Sequence, residues 1–121
     1  MMWLQASIVF ILLILLDIPW LYGMSSITQS MYRTIQGSPL QMRIWAAIPV
    51  YVALTYLVLQ QTSVIGAALA GAAVYAVYDF TTLLVFKDYR LDIAVADTVW
   101  GGILLAAVYT CKNQIAPMLY K

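Results

Sequence analysis

Aspartate carries all the acidic chemistry in this sequence: Asp17, Asp79, Asp88, Asp92 and Asp97 are its five acidic residues, beside no histidine and a single cysteine, Cys111. Zinc, haem and imidazole acid–base catalysis therefore lack a ligand set, and Cys111 has no intrachain disulfide partner. What remains is what grouped carboxylates do: hold a hard cation, bind a proton, or share one. Asp88 and Asp92 lie in and beside the charged stretch Lys87-Asp88-Tyr89-Arg90. Asp17, Asp79 and Asp97 interrupt apolar stretches, where a carboxylate is costly and commonly marks an ion, proton or substrate site.

The local pattern around these three repeats. Asp17-Ile18-Pro19-Trp20 and Asp97-Thr98-Val99-Trp100 each put a carboxylate and an indole three residues apart, on one helical face. Around Asp79, Tyr75 precedes and Thr82 follows at helical spacing, with Tyr78 and Thr81 alongside. Trp20, Tyr75, Thr82 and Trp100 are hydrogen-bond donors that a buried carboxylate can accept from. Arg43, Lys87 and Arg90 are the candidate counter-charges, and if a metal binds, Asp17, Asp79 and Asp97 are its ligands. No cofactor is expected, although the carboxylates leave room for a divalent cation.

The elements that must position these residues are membrane helices. A mean hydropathy of +0.90, with 64% hydrophobic and 9% charged residues, leaves too little polar surface to cover a water-soluble fold. The partner expected is the lipid bilayer; a net charge of +1 without a basic run excludes nucleic acid. Crossing about 30 Å of hydrocarbon takes roughly 20 residues, and four stretches fit: about 3–22, 40–59, 64–86 and 91–109. The first lacks a basic leader and a small-residue cleavage pattern, so it is expected to be a retained helix. Residues 1–121 are read as one transmembrane domain, an all-α four-helix bundle.

Between the first two spans, Ile27, Met31 and Ile35 recur every fourth residue behind the N-cap candidates Ser25 and Ser26, which predicts a short interfacial helix ending at Gly37. Ser38-Pro39 marks the start of the second span, which Pro49 is expected to kink. The turn at Gln60-Gln61-Thr62-Ser63 is short enough to make the second and third spans antiparallel neighbours. Small residues from Gly66 to Ala76 permit close backbone approach, which makes the third span the expected centre of the bundle. Lys112 and Asn113 mark the exit of the fourth span, and Pro117 is expected to stop any continuation. Arg33, Arg43, Lys87 and Arg90, against Lys112, Lys121 and the amino terminus, favour the longer connections in the cytoplasm and both termini opposite.

With the spans antiparallel, Asp17, Asp79 and Asp97 each fall roughly 7 to 10 Å inside the same interface. Carboxylates that close in lipid repel, so they demand a proton or a cation.

At these residues the chain resembles the small membrane proteins catalogued as domain of unknown function 2177. The matching pieces are Asp17-Ile18-Pro19-Trp20-Leu21, Tyr32-Arg33, Tyr75 to Thr81, and Asp97-Thr98-Val99-Trp100-Gly101. Thr82 stands where that family often has asparagine. The resemblance implies a four-helix membrane fold and no particular activity. From the residues themselves, proton or cation binding or small-solute transport by a homo-oligomer is the leading expectation. A scaffold without chemistry and a lipid-modifying enzyme are the alternatives, and the lack of a nucleophile motif weighs against an enzyme.

Overall fold

The computed structural model describes residues 2–119; Lys121, counted in the charge balance above, lies outside them. Within these residues the chain is all-α, a bundle of four helices: α1 (Met2–Gln36), α2 (Ala47–Leu59, led in by a 3-10 turn at Ile44–Ala46), α3 (Val64–Val85) and α4 (Leu91–Leu119). Helices α1, α3 and α4 are long and apolar enough to cross a membrane, whereas the apolar stretch Ile44–Leu59 is shorter.

The segment expected to form a separate interfacial helix is helical but continuous with the first span. Ser25 does not cap. Its Oγ donates to the Tyr22 carbonyl at 2.8 Å, and the Thr28 Oγ1 donates to the Met24 carbonyl at 2.9 Å, the back-bonding such side chains make inside a helix. Nothing breaks the helix until Gly37, which at φ 77° returns its N–H to the Arg33 carbonyl at 2.8 Å, closing the end as a left-handed glycine does. At roughly 52 Å, α1 exceeds the hydrocarbon thickness, and its last turns pack Met31 and Ile35 against Tyr89, Ile93 and Ala94.

The second helix begins later than Ser38-Pro39 suggests. The Gln36 side chain donates to the Ser38 hydroxyl and to the Pro39 carbonyl, both at 3.0 Å, which ties down the connecting segment. Pro49 consequently falls in the first turn of α2 rather than mid-helix, where its missing N–H costs little. At the other end of the chain, α4 runs ten residues past the expected Tyr109, to Leu119, and Pro117 does not stop it but lies within its last turn. Lys112 is buried and sits 4.8 Å from the centre of the Tyr109 ring, so it covers the helix rather than marking its exit.

The bundle's centre is α4, not α3. Helix α4 packs along α3 and α1 and touches α2, and it carries most of the buried residues. The small residues of α3 serve that contact: a Cβ on Gly71 would run into the Gly101 carbonyl, and one on Gly102 would stand 3.0 Å from the Ala68 carbonyl. Despite their short turn, in which Ser63 caps α3 by accepting from Gly66 N–H at 2.9 Å, α2 and α3 are not principal partners; α2 packs on α1 instead.

Two apolar layers result. Val9, Leu13, Leu54, Val58, Ala67, Leu104, Leu105 and Val108 fill the end near the termini and the 60–63 turn, and the cluster around Met31 and Ile93 fills the other. Asp17 of α1 and Asp97 of α4 lie between the two layers. Because the α3–α4 contact has no room for a methyl, Gly71→Ala should lower stability by about 1–3 kcal/mol, read as a fall in the thermal midpoint in detergent. At Gly23 a Cβ meets nothing within 4 Å, so Gly23→Ala should be neutral or raise the midpoint by up to about 1 kcal/mol equivalent.

Candidate functional site: an aspartate and tryptophan layer beneath an aromatic cavity

The two Asp-x-x-Trp segments interlock between α1 and α4. The Trp100 indole N–H donates to Asp17 Oδ1 at 2.8 Å, and the Trp20 indole N–H donates to Asp97 Oδ1 at 3.2 Å. Each indole therefore serves the other helix's carboxylate rather than its own. The rings lie stacked between them, centroids 5.1 Å apart and planes 6° from parallel. The second oxygen of Asp17 accepts from the Tyr51 hydroxyl of α2 at 2.6 Å. Asp17, 5% exposed, thus joins three helices, with a donor on each oxygen as a carboxylate requires.

Asp79 of α3 is fully buried. Its Oδ1 accepts from the Tyr89 hydroxyl at 2.5 Å; its Oδ2 has no partner. The carboxyl lies close to that of Asp97, and two carboxyl groups can bond to each other only when one of them carries a proton. Tyr89, in the α3–α4 connection, is held as a donor: burial first, then its bond to Asp79, push its hydroxyl above the ordinary phenol range. Around it, Tyr32 and Tyr78 share a hydrogen bond of 2.8 Å, and the Tyr32 and Tyr89 rings lie 6.1 Å apart.

A cavity of about 540 Å³ opens above this layer, walled by all four helices. Asp17, Asp97, Trp20 and Tyr75 line it, together with Tyr32, Tyr51, Tyr78, Tyr89 and apolar residues such as Val50, Val74 and Ile93; among the described residues no lysine or arginine does. Asp79 stands behind Asp97, outside the lining. The Tyr75 ring crosses Gly101, where a Cβ would strike it. Among the described residues no group of three acidic, cysteine or histidine side chains is placed to hold a metal ion.

Other expected members lie elsewhere. Thr82 donates back to the Tyr78 carbonyl at 2.7 Å, away from Asp79. The three counter-charges do not reach inward: Arg43 and Lys87 are exposed, and Arg90 pairs at 2.6 Å with Asp92 on the surface. Long cationic side chains at a helix edge gain more from water than from reaching into a carboxylate layer whose donors are already supplied. Tyr51 and Tyr89 escaped the reading of the sequence. The signal available was generic, a phenol in a buried setting needing an acceptor.

Four apolar helices enclosing a polar layer define an α-helical integral membrane protein. The profile of the family described as "Predicted membrane protein (DUF2177)" matches residues 2–112, and the chain belongs to that family. Neither the curated proteins nor the solved structures gave a match.

Removing the Tyr51 hydroxyl leaves Asp17 Oδ2 buried without its donor. Tyr51→Phe is accordingly expected to cost about 1–3 kcal/mol. Tyr56→Phe, on the exposed side of the same helix, should stay within about 0.5 kcal/mol. Paired unfolding curves in one detergent check the contrast, and equal midpoints would remove Tyr51 from the layer.

Proposed function

We propose that this membrane protein binds protons at the Asp79–Asp97 pair and couples that binding to a small solute in the adjoining cavity. The observation that carries the reading is Asp79: a fully buried carboxyl with one bare oxygen, close to a second carboxyl, with no basic side chain among the described residues that line the cavity beside it. Two close charges of one sign in a low-dielectric setting repel strongly. A single shared proton removes the repulsion and satisfies the bare oxygen. A divalent ion is the weaker reading, because the third carboxylate, Asp17, already has a donor on each oxygen.

In this reading all four helices cross the membrane, with α2 as a short span. Residues 37–46 and 86–90 face the cytoplasm, and both termini share the opposite side with the 60–63 turn. The cation balance supports that orientation. Self-association of several copies would provide a translocation path that four helices hardly enclose alone. The exposed face of α3, with Leu69 and Val77, is apolar enough to meet either lipid or another copy.

One observation favours a second reading, an assembly subunit without chemistry: Asp17 bonds to both α2 and α4 and so ties the bundle together. Proton uptake separates the two. In liposomes with a trapped pH-sensitive dye, the wild-type protein should dissipate an imposed pH gradient, and Asp79→Asn and Asp97→Asn should each reduce the rate at least tenfold while retaining the helical circular-dichroism spectrum. Folded variants that match the wild type, or a wild type no faster than empty liposomes, would leave the assembly reading standing.

A further inference from the structure

The proposal above concerns the Asp79–Asp97 pair; the cavity beside it has its own chemistry. Its walls combine three features. Six of its lining side chains are aromatic, among them Trp20, Tyr51, Tyr75 and Tyr78. Two carboxylates, Asp17 and Asp97, stand in the wall, and no cationic side chain among the described residues answers them there. The rest is apolar, and the rim residues Val50 of α2 and Val74 of α3 are 53% and 41% exposed. We infer that this cavity is a binding site for an amphiphilic organic ammonium ion, which enters sideways from the bilayer between α2 and α3.

The charge of the ligand follows from the lining. Asp17 and Asp97 bring carboxylate charge to the cavity wall, and no lysine or arginine among the described lining residues offsets it. An anionic headgroup would meet repulsion, and a neutral one would leave that charge unanswered. Aromatic rings around a carboxylate suit an alkylammonium better than a metal ion. The ring faces attract a diffuse cation, while a small hard ion would need a full set of oxygens, and no group of three acidic, cysteine or histidine side chains among the described residues is placed to begin one.

The tail follows from the route. Helices α2 and α3 are joined at residues 60–63 yet packed on different partners, so the cavity wall is interrupted between them, at an apolar rim that faces hydrocarbon. At about 540 Å³ the space lies within the ordinary range for a small organic ligand, roughly 300–1,000 Å³. It admits a head and a short chain, with the remainder of a longer tail extending past Val50 and Val74.

The test uses the whole wild-type protein in uncharged maltoside micelles, where no lipid ammonium competes. Hexyltrimethylammonium, hexanol and hexanesulfonate share one tail and differ in charge. Titration followed by the fluorescence of the stacked Trp20–Trp100 pair should saturate with the ammonium ion at least tenfold more tightly than with either of the others. Val74→Trp, which narrows the rim without touching a carboxylate, should slow binding. Asp17→Asn, if it folds, should weaken binding tenfold or more. Equal binding of the three ligands, or none, would overturn the inference. So would a Val50→Cys/Val74→Cys variant that crosslinks quantitatively between copies in the wild-type assembly, since a second chain would then fill the gap. Proton dissipation is read separately. Ammonium binding without proton movement would refute only the coupling proposed above, and proton movement without ammonium preference would refute only this inference.

Discussion

A carboxylate in hydrocarbon must be supplied with donors from its own protein, because lipid has none to give. The exchange between Asp17 and Asp97 meets that constraint with one device used twice. Each Asp-x-x-Trp segment presents an acceptor and a donor on one helical face, and the two faces meet antiparallel, so that each indole N–H reaches the opposite carboxylate. The stacked rings fill the space between. Had each tryptophan served its own aspartate, the two helices would have gained nothing from meeting. Because the donors are crossed, separating α1 from α4 would take the indole donor from both carboxylates at once.

That coupling fixes the register of the rest. Once Asp17 and Asp97 face each other, Val9 and Leu13 of α1 come level with Leu104, Leu105 and Val108 of α4, and Met31 comes level with Ile93 and Ala94. A slip of one helical turn would move these apolar layers out of step and, at greater cost, leave two carboxylates without indoles. The polar layer therefore specifies the alignment, and the apolar layers supply area. In a bilayer such area is worth less than in water, since lipid chains are as apolar as leucine, and so the polar layer bears more of the specificity.

The sequence makes some of this legible and conceals the rest for identifiable reasons. Hydropathy gives four apolar helices, and small residues from Gly66 onward announce a close contact; the glycines at 71 and 101 make it. The Asp-x-x-Trp spacing is visible, but its crossed pairing is not, because it depends on which helices pack. Tyr51 and Tyr56 look alike in the sequence, and only the turn of α2 toward α1 makes one a donor to Asp17 and leaves the other exposed. Ser25 satisfies the N-cap preference, yet its hydroxyl serves equally well bonded backward within a helix, and that ambiguity hid the continuity of α1. Similarly, Ser38-Pro39 permits a helix start without compelling one.

The least legible feature is the most consequential, the separation of α2 from α3. A four-residue connection brings helix ends together, but it does not decide what their flanks touch. Two stronger attachments pull the pair apart. Tyr51 draws α2 onto α1 through Asp17, and the glycine and alanine stripe of α3 fits only against the matching glycines of α4. A methyl-width contact of that kind cannot be shared with a second helix bearing Tyr51 and Leu54 at the same height. Beyond the 60–63 turn the two helices therefore diverge, and the aromatic cavity is the space they leave. Its floor is the polar layer itself, because the same bonds that open the gap also bring Asp17 and Asp97 to its wall. On this account the cavity is a consequence of how the carboxylates are supplied, so that changing the donors would reshape the space as well as its charge.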